Sequence, residues 1–234
     1  MYRGDGYEFV ELREYVPGDD VRRIDWAATA RVGELQTRVV LEDVALTLAA
    51  LLDDSPSMEV GRTRPLARAG EEAMRTWFSS GRSGDRLLRI GNDHVAPPPA
   101  PVTTPFDLRG ALETARAALR RGSALLAIGD WYELDDAFDD LLMSLGTWCD
   151  CTAMIARDPW YDGLPVGGVV RFADSEGGSA RMYVGRHERE RFAQAVRARE
   201  SALAARFERA NWRTGILRED DGSASLLAAF GAGA

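Results

Sequence analysis

The chain has 234 residues, 45% of them hydrophobic and 28% charged, with a formal net charge of −8. That content suffices for one sizeable core, and the acidic balance argues against a general nucleic-acid binder, which would carry a basic patch. The longest apolar run, residues 44–52 broken only by Thr47, falls far short of the roughly 20 residues a membrane span needs, and "MYRGDGYEF" lacks the apolar stretch of a signal peptide, so the expectation is a cytoplasmic protein with no membrane span.

Residues 1–34 mix charge, aromatic groups and turn signals. "YVPGDD" at 15–20 sets Pro17 and Gly18 as the central pair of a type II turn. Tyr7, Phe9, Leu12, Tyr15, Ile24 and Trp26 surround it, too many large apolar groups for a disordered tail. Tyr15 and Trp26 are expected to anchor this segment to the rest of the protein. Arg13, Asp19, Asp20, Arg22, Arg23 and Asp25 form either a charged surface for a partner or a network clamping the segment to the domain, and the clamp is preferred.

From residue 35 onward, strand and helix signals alternate. "LQTRVVL" (35–41) and "VALTLAALL" (44–52) read as strands, the second fully buried. A helix follows over 65–80, with Leu66, Ala69, Gly70, Ala73 and Trp77 on one face. "DRLLRIG" (85–91) is a short strand. The proline-rich 96–105 has no place inside a sheet. The helix at 107–121 carries a stripe of Leu108, Ala111, Leu112, Ala115 and Leu119. "SALLAIGDW" (123–131) is a second buried strand, 133–145 an amphipathic helix and "CDCTAMIA" (149–156) a third strand. "GVVRFAD" and "ARMYVG" make a hairpin across "SEGGS". A charged helix over 186–210, the strand "WRTGILR" and a helix at 224–230 close the chain. This alternation implies an α/β fold, a mostly parallel sheet with helices on both faces.

In such sheets, ligands sit beyond the carboxyl ends of the strands, at a switch in strand order. Two buried strands end abruptly in polar groups here, one in "DDSPS" and the other in "GDW". Asp53, Ser55 and Ser57 are spaced D-x-S-x-S. One carboxylate and two hydroxyls are hard oxygen donors that suit Mg²⁺ or Mn²⁺, and Asp130 would complete the shell from the neighbouring strand. The competing readings are a capped turn and catalysis. An aspartyl-phosphate enzyme would want a second Asp two residues after the nucleophile, where Ser55 or Pro56 stands.

Other chemistry has little support. All 29 basic residues are arginine, which removes the P-loop lysine and Schiff-base catalysis. His94 and His187 have no Ser or Cys partner nearby, and no G-x-S-x-G occurs. Cys149 and Cys151 read as core thiols in a reducing compartment.

The D-x-S-x-S motif after an apolar strand resembles the metal ion-dependent adhesion site of von Willebrand factor A-type domains. Residues 8–43, "EFVELREYVPGDDVRRIDWAATARVGELQTRVVLED", are similar throughout to the signature of the domain of unknown function 58 family. "LLDDSPSM", "AIGDW", "RDPWYDGLP" and "RFADSEGG" fall where that family carries corresponding motifs. The resemblance implies an N-terminal extension at 1–42, packed on a von Willebrand factor A-like domain at 43–234 with a Rossmann-type three-layer fold. It also implies a divalent metal held by Asp53, Ser55, Ser57 and Asp130. The family's remaining ligand is a threonine before the helix near 107. Here "TTPFDL" puts Phe106 in its place, with Thr104 two residues earlier.

The function the resemblance implies is a non-enzymatic adaptor that works with a MoxR-like AAA+ ATPase or its client. Two alternatives stand beside it. One is a metal-dependent hydrolase or phosphotransfer enzyme using Asp53 and Asp130. The other is a scaffold with a vestigial metal site.

Overall fold

A computed structural model describes residues 7–42, 45–99, 106–162, 166–173 and 178–231. The chain divides into two units, Met1–Ala45 and Leu46–Ala234.

In the first unit, β1 (Tyr7–Glu14) pairs antiparallel with β2 (Gln36–Glu42), with a bulge between Phe9 and Glu11. The expected turn is present. The Asp19 amide donates to the Val16 carbonyl at 3.0 Å, and Gly18 takes φ +113°, open to glycine at no steric cost. A short α1 (Trp26–Val32) follows, which the sequence reading did not assign. It is defined by its ends. The Asp25 carboxylate accepts from the Ala28 amide at 2.9 Å, and Gly33 closes the helix at φ +84°. Arg38 bonds Asp25 at 2.9 Å and Arg13 bonds Asp19 at 2.7 Å, so these four charges pair within the first unit. Trp26 does not fit the expected anchor. It opens α1 and is 67% exposed.

The second unit holds β3 (Thr47–Leu52), α2 (Leu66–Ser79), β4 (Arg86–Ile90), β5 (Val95–Ala96), α3 (Leu108–Ala118) and β6 (Ala124–Gly129). Next come α4 (Asp139–Trp148), β7 (Asp150–Ala156), the hairpin β8 (Gly168–Ala173) and β9 (Ser179–Val184), α5 (Arg186–Arg209), β10 (Trp212–Leu217) and α6 (Gly222–Ala229). The helix expected over 133–145 begins instead as a 3-10 turn at Asp136–Phe138, because Asp135 accepts the Ala137 amide and sets a tighter first turn.

Six strands form the central sheet in the order β10-β7-β6-β3-β4-β5, all parallel except β5. Both faces of the central strands are covered, as continuous apolar runs require. Ala49, Leu51, Leu125 and Ala127 face α3, α4 and α5, where Leu112, Leu145 and Phe207 are fully buried. Their sequence neighbours Ala50, Leu52, Leu126 and Ile128 face α2 and α6. The result is a three-layer α/β arrangement. No helix among the described residues is long and apolar enough to cross a membrane.

Strand order fixes where a ligand would enter. From β3 the chain moves outward to β4 and β5, then returns to place β6 on the other side of β3. The crevice beyond the ends of β3 and β6 is therefore the switch point of the sheet. Leu52 pairs with Ile128, so the two strands end level with one another.

Candidate functional site

Asp53 is the first residue beyond β3. Its amide still donates to the Ile128 carbonyl at 2.8 Å, so the ladder holds its backbone. Only 6% of the residue is exposed. Its Oδ1 accepts from the Ser55 amide at 2.8 Å, which turns the chain and brings the Ser55 and Ser57 hydroxyls to 2.8 Å from each other. The turn reading is thus correct locally, and it also gathers the oxygens. Asp54 is exposed and outside the cavity, so of the adjacent pair only Asp53 points inward.

Gly129 makes room for this carboxylate. A methyl group there would lie 3.1 Å from Asp53 Cβ and 3.2 Å from its Oδ2. The next residue, Asp130, leaves the sheet and accepts the Tyr132 amide at 2.9 Å. Between them Trp131 takes φ +62°, a left-handed conformation that costs a bulky residue about 1–2 kcal/mol. Its burial holds it there. Nε1 donates to the Met154 carbonyl at 3.1 Å, and the ring packs edge-on against Phe207 at 4.8 Å. From α5, Arg199 donates to the Asp130 carbonyl at 2.6 Å and lies over the Tyr132 ring at 3.8 Å.

The two strand ends, with Phe106 and Leu108, line one cavity of about 270 Å³. Asp53, Ser55, Ser57, Asp130 and Glu133 supply its polar rim, while Leu51, Phe106 and Trp131 contribute apolar wall. Burial is the main cause that pushes the Asp53 carboxyl above the ordinary carboxylate range, and the nearby charge of Asp130 adds to it. Hydrogen bonds from Ser55 and from the Asp130 amide pull the other way. A buried carboxylate whose charge is disfavoured, beside a second carboxylate and two hydroxyls, is a donor set suited to a hard divalent cation. The set fits Mg²⁺ or Mn²⁺ better than Zn²⁺, which favours nitrogen and sulfur. Two carboxylates with hydroxyls and waters suffice for Mg²⁺; among the described residues no cluster of three or more His, Cys, Asp or Glu is placed to hold a metal.

Four of the five residues singled out from sequence, Asp53, Ser55, Ser57 and Asp130, therefore come together. Thr104 lies outside the described residues, whereas Phe106, which holds the expected threonine position, lines the cavity. Sequence reasoning missed Gly129, Trp131 and Arg199. For Gly129 a signal existed, a glycine immediately before a strand-end aspartate. For Arg199 there was none, since it reaches the site from a helix far along the chain.

A family model described as "Protein of unknown function DUF58" matches residues 11–95. Among curated proteins, the chain is 30% identical over 228 residues to the uncharacterized protein Rv1480 of Mycobacterium tuberculosis, covering 86% of this chain and 71% of that one. The uncharacterized protein Mb1516 of Mycobacterium bovis matches with the same identity and coverage. No solved structure matches the chain.

Proposed function

Taking as premise that the chain belongs to the DUF58 family, we propose that it is a non-enzymatic protein-interaction domain whose binding surface is built around a divalent cation. The observation that carries this reading is the level ending of β3 and β6 at the switch point, which brings Asp53 and Asp130 to the rim of one cavity with Ser55 and Ser57. The cation would be held by these four side chains. It would supply an open coordination position for a carboxylate from another protein, as in von Willebrand factor A-type adhesion sites.

The remaining groups act on the ligands. Gly129 leaves the space that Asp53 occupies, Trp131 turns Asp130 out of the strand, and Arg199 braces that turn through its carbonyl. No histidine, cysteine or lysine lines the cavity, which leaves a carboxylate as the general base a hydrolase would have to use and gives binding the simpler chemistry. The partner that fits the family resemblance is a MoxR-like AAA+ ATPase or its client protein.

The test is capture of a MoxR-like ATPase from the same genome by the tagged chain, with Mg²⁺, with Mn²⁺ and with chelator. Capture should need the cation and be lost in Asp53→Ala. Retention by the folded variant would refute the metal bridge. Turnover of a generic phosphoester, dependent on Mn²⁺ and abolished in the same variant, would instead establish an enzyme.

A further inference from the structure

We propose that the outer face of the β8–β9 hairpin binds an extended acidic segment of a partner protein, with Arg171 and Arg181 holding a carboxylate and Tyr183 and Val169 covering an apolar side chain. The proposal is independent of the cation site.

Register places Arg171 directly opposite Arg181 and Val169 directly opposite Tyr183. Side chains alternate along a strand, so these four share one face. All are exposed, Val169 by 78% and Tyr183 by 66%. The opposite face is the more covered one, with Val184 buried and Val170 and Phe172 half-buried, although Met182 and Ala180 on it are exposed.

A like-charged pair directly across two strands destabilises the pairing, and an isolated two-stranded hairpin is already marginal. Among the described residues the only hydrogen bond of this pair runs from Arg171 Nη2 to the Ser179 hydroxyl at 3.2 Å. Among the described residues neither guanidinium meets a carboxylate. In a chain of net charge −8, Arg62, Arg64, Arg206 and Arg213 of the same unit each meet an acid or an aromatic ring, whereas among the described residues this pair does not. Solvent alone does not require two arginines at this register, since one glutamate would make a favourable pair.

The chemistry of the face specifies its ligand. Opposed side chains sit about 4.5–5.5 Å apart at Cβ, close enough for two planar forks to grip one carboxylate or two adjacent ones. The exposed Tyr183–Val169 pair lies two residues along, about 6.6–6.8 Å away. An extended peptide repeats at that same spacing, so an acidic residue followed two positions later by an apolar one would meet both pairs. Two positive charges on an acidic protein do not make the basic footprint of a nucleic-acid binder.

The test uses the full chain and a fluorescein-labelled peptide of Glu-Gly-Leu repeats, with a Lys-Gly-Leu repeat as its charge-reversed counterpart. Fluorescence anisotropy should show salt-sensitive binding of the acidic peptide by the wild type. Arg181→Glu should weaken it on the order of tenfold or more. The double variant Arg171→Glu/Arg181→Glu should bind the lysine peptide instead. Because Arg181→Glu creates an opposite-charge pair with Arg171, it should melt no lower than wild type, which separates lost recognition from lost folding. Equal binding of the acidic peptide by wild type and double variant would overturn the proposal. So would preference for phosphatidylserine vesicles or a DNA duplex over the peptide, or salt-sensitive self-association abolished by the double variant, which would make a second copy the occupant.

Discussion

Replacing Gly129 by alanine tests how tightly the site is built. Gly129 has no left-handed φ, so alanine meets no backbone penalty and the added methyl is the whole perturbation. That methyl would sit 3.1 Å from Asp53 Cβ and 3.2 Å from Asp53 Oδ2. Ordinary contacts between such atoms lie near 3.5–4.0 Å, so Asp53 must retreat by a few tenths of an ångström. It has little freedom to do so, because its amide is held by Ile128 and its Oδ1 by Ser55. Overpacking of this kind costs about 1–3 kcal/mol. Reduced freedom of the unfolded chain returns about 0.4–1 kcal/mol for Gly→Ala. The net loss of about 1–2 kcal/mol corresponds to a fall of roughly 2–8 °C in Tm for a unit of this size. Displacing the group that positions a metal ligand should also weaken Mn²⁺ binding about 10–100-fold. Differential scanning calorimetry measures the first effect and isothermal titration with MnCl₂ the second. Wild-type values for both would refute the claim that Gly129 is the cradle of Asp53.

Three other substitutions probe separate parts of the molecule. Because burial holds the Asp53 carboxyl above its ordinary range, its contribution favours folding fully below the unfolded-chain value and is lost as pH rises through the raised folded value. Metal-free Asp53→Asn should therefore melt above wild type near neutral pH, with the gap closing in acid. Excess Mn²⁺ should reverse the order, since a cation at 100 times its Kd adds about 2.7 kcal/mol to wild type alone; melting curves across pH with and without MnCl₂ decide. Ser57→Ala removes one hydroxyl of the 2.8 Å pair and should lower Mn²⁺ affinity while leaving stability within about 0.5 kcal/mol, read by titration and urea unfolding. Gly146→Ala would bring a methyl 1.9 Å from the Ala210 carbonyl oxygen, which is backbone and cannot swing aside. It should cost about 3 kcal/mol or more, seen as a lower urea midpoint.

What could be read from the sequence follows from how local each signal is. β3 and β6 are apolar runs, broken only by Thr47 at the start of β3, and the two strands whose ends build the site are recognisable from that alone. The spacing of Asp53, Ser55 and Ser57 pointed to gathered oxygens, and one Asx-type turn gathers them. α1 was overlooked because it is only seven residues long and carries no periodic stripe, although Asp25 and Gly33 mark both its ends. β5, two residues long, has no pattern to detect. Trp131 could not be foreseen in a left-handed conformation, since only its contacts with Met154 and Phe207 hold it there. The exposure of Trp26 runs against expectation because a large aromatic residue reads as an anchor, whereas this one opens a short helix with its ring in solvent.

The ladder between β3 and β6 also constrains the order of events as the chain folds. Asp53 and Asp130 belong to strands that are neighbours in space yet separated in sequence by β4, β5 and two helices. A hairpin could form early and locally, but this parallel pairing must close a long loop before its hydrogen bonds repay the lost entropy. Until then the two carboxylates have no common neighbourhood. Cation binding that requires both therefore reports a completed central sheet, and a chain stalled with β6 unpaired would present Asp53 to solvent as an ordinary acid.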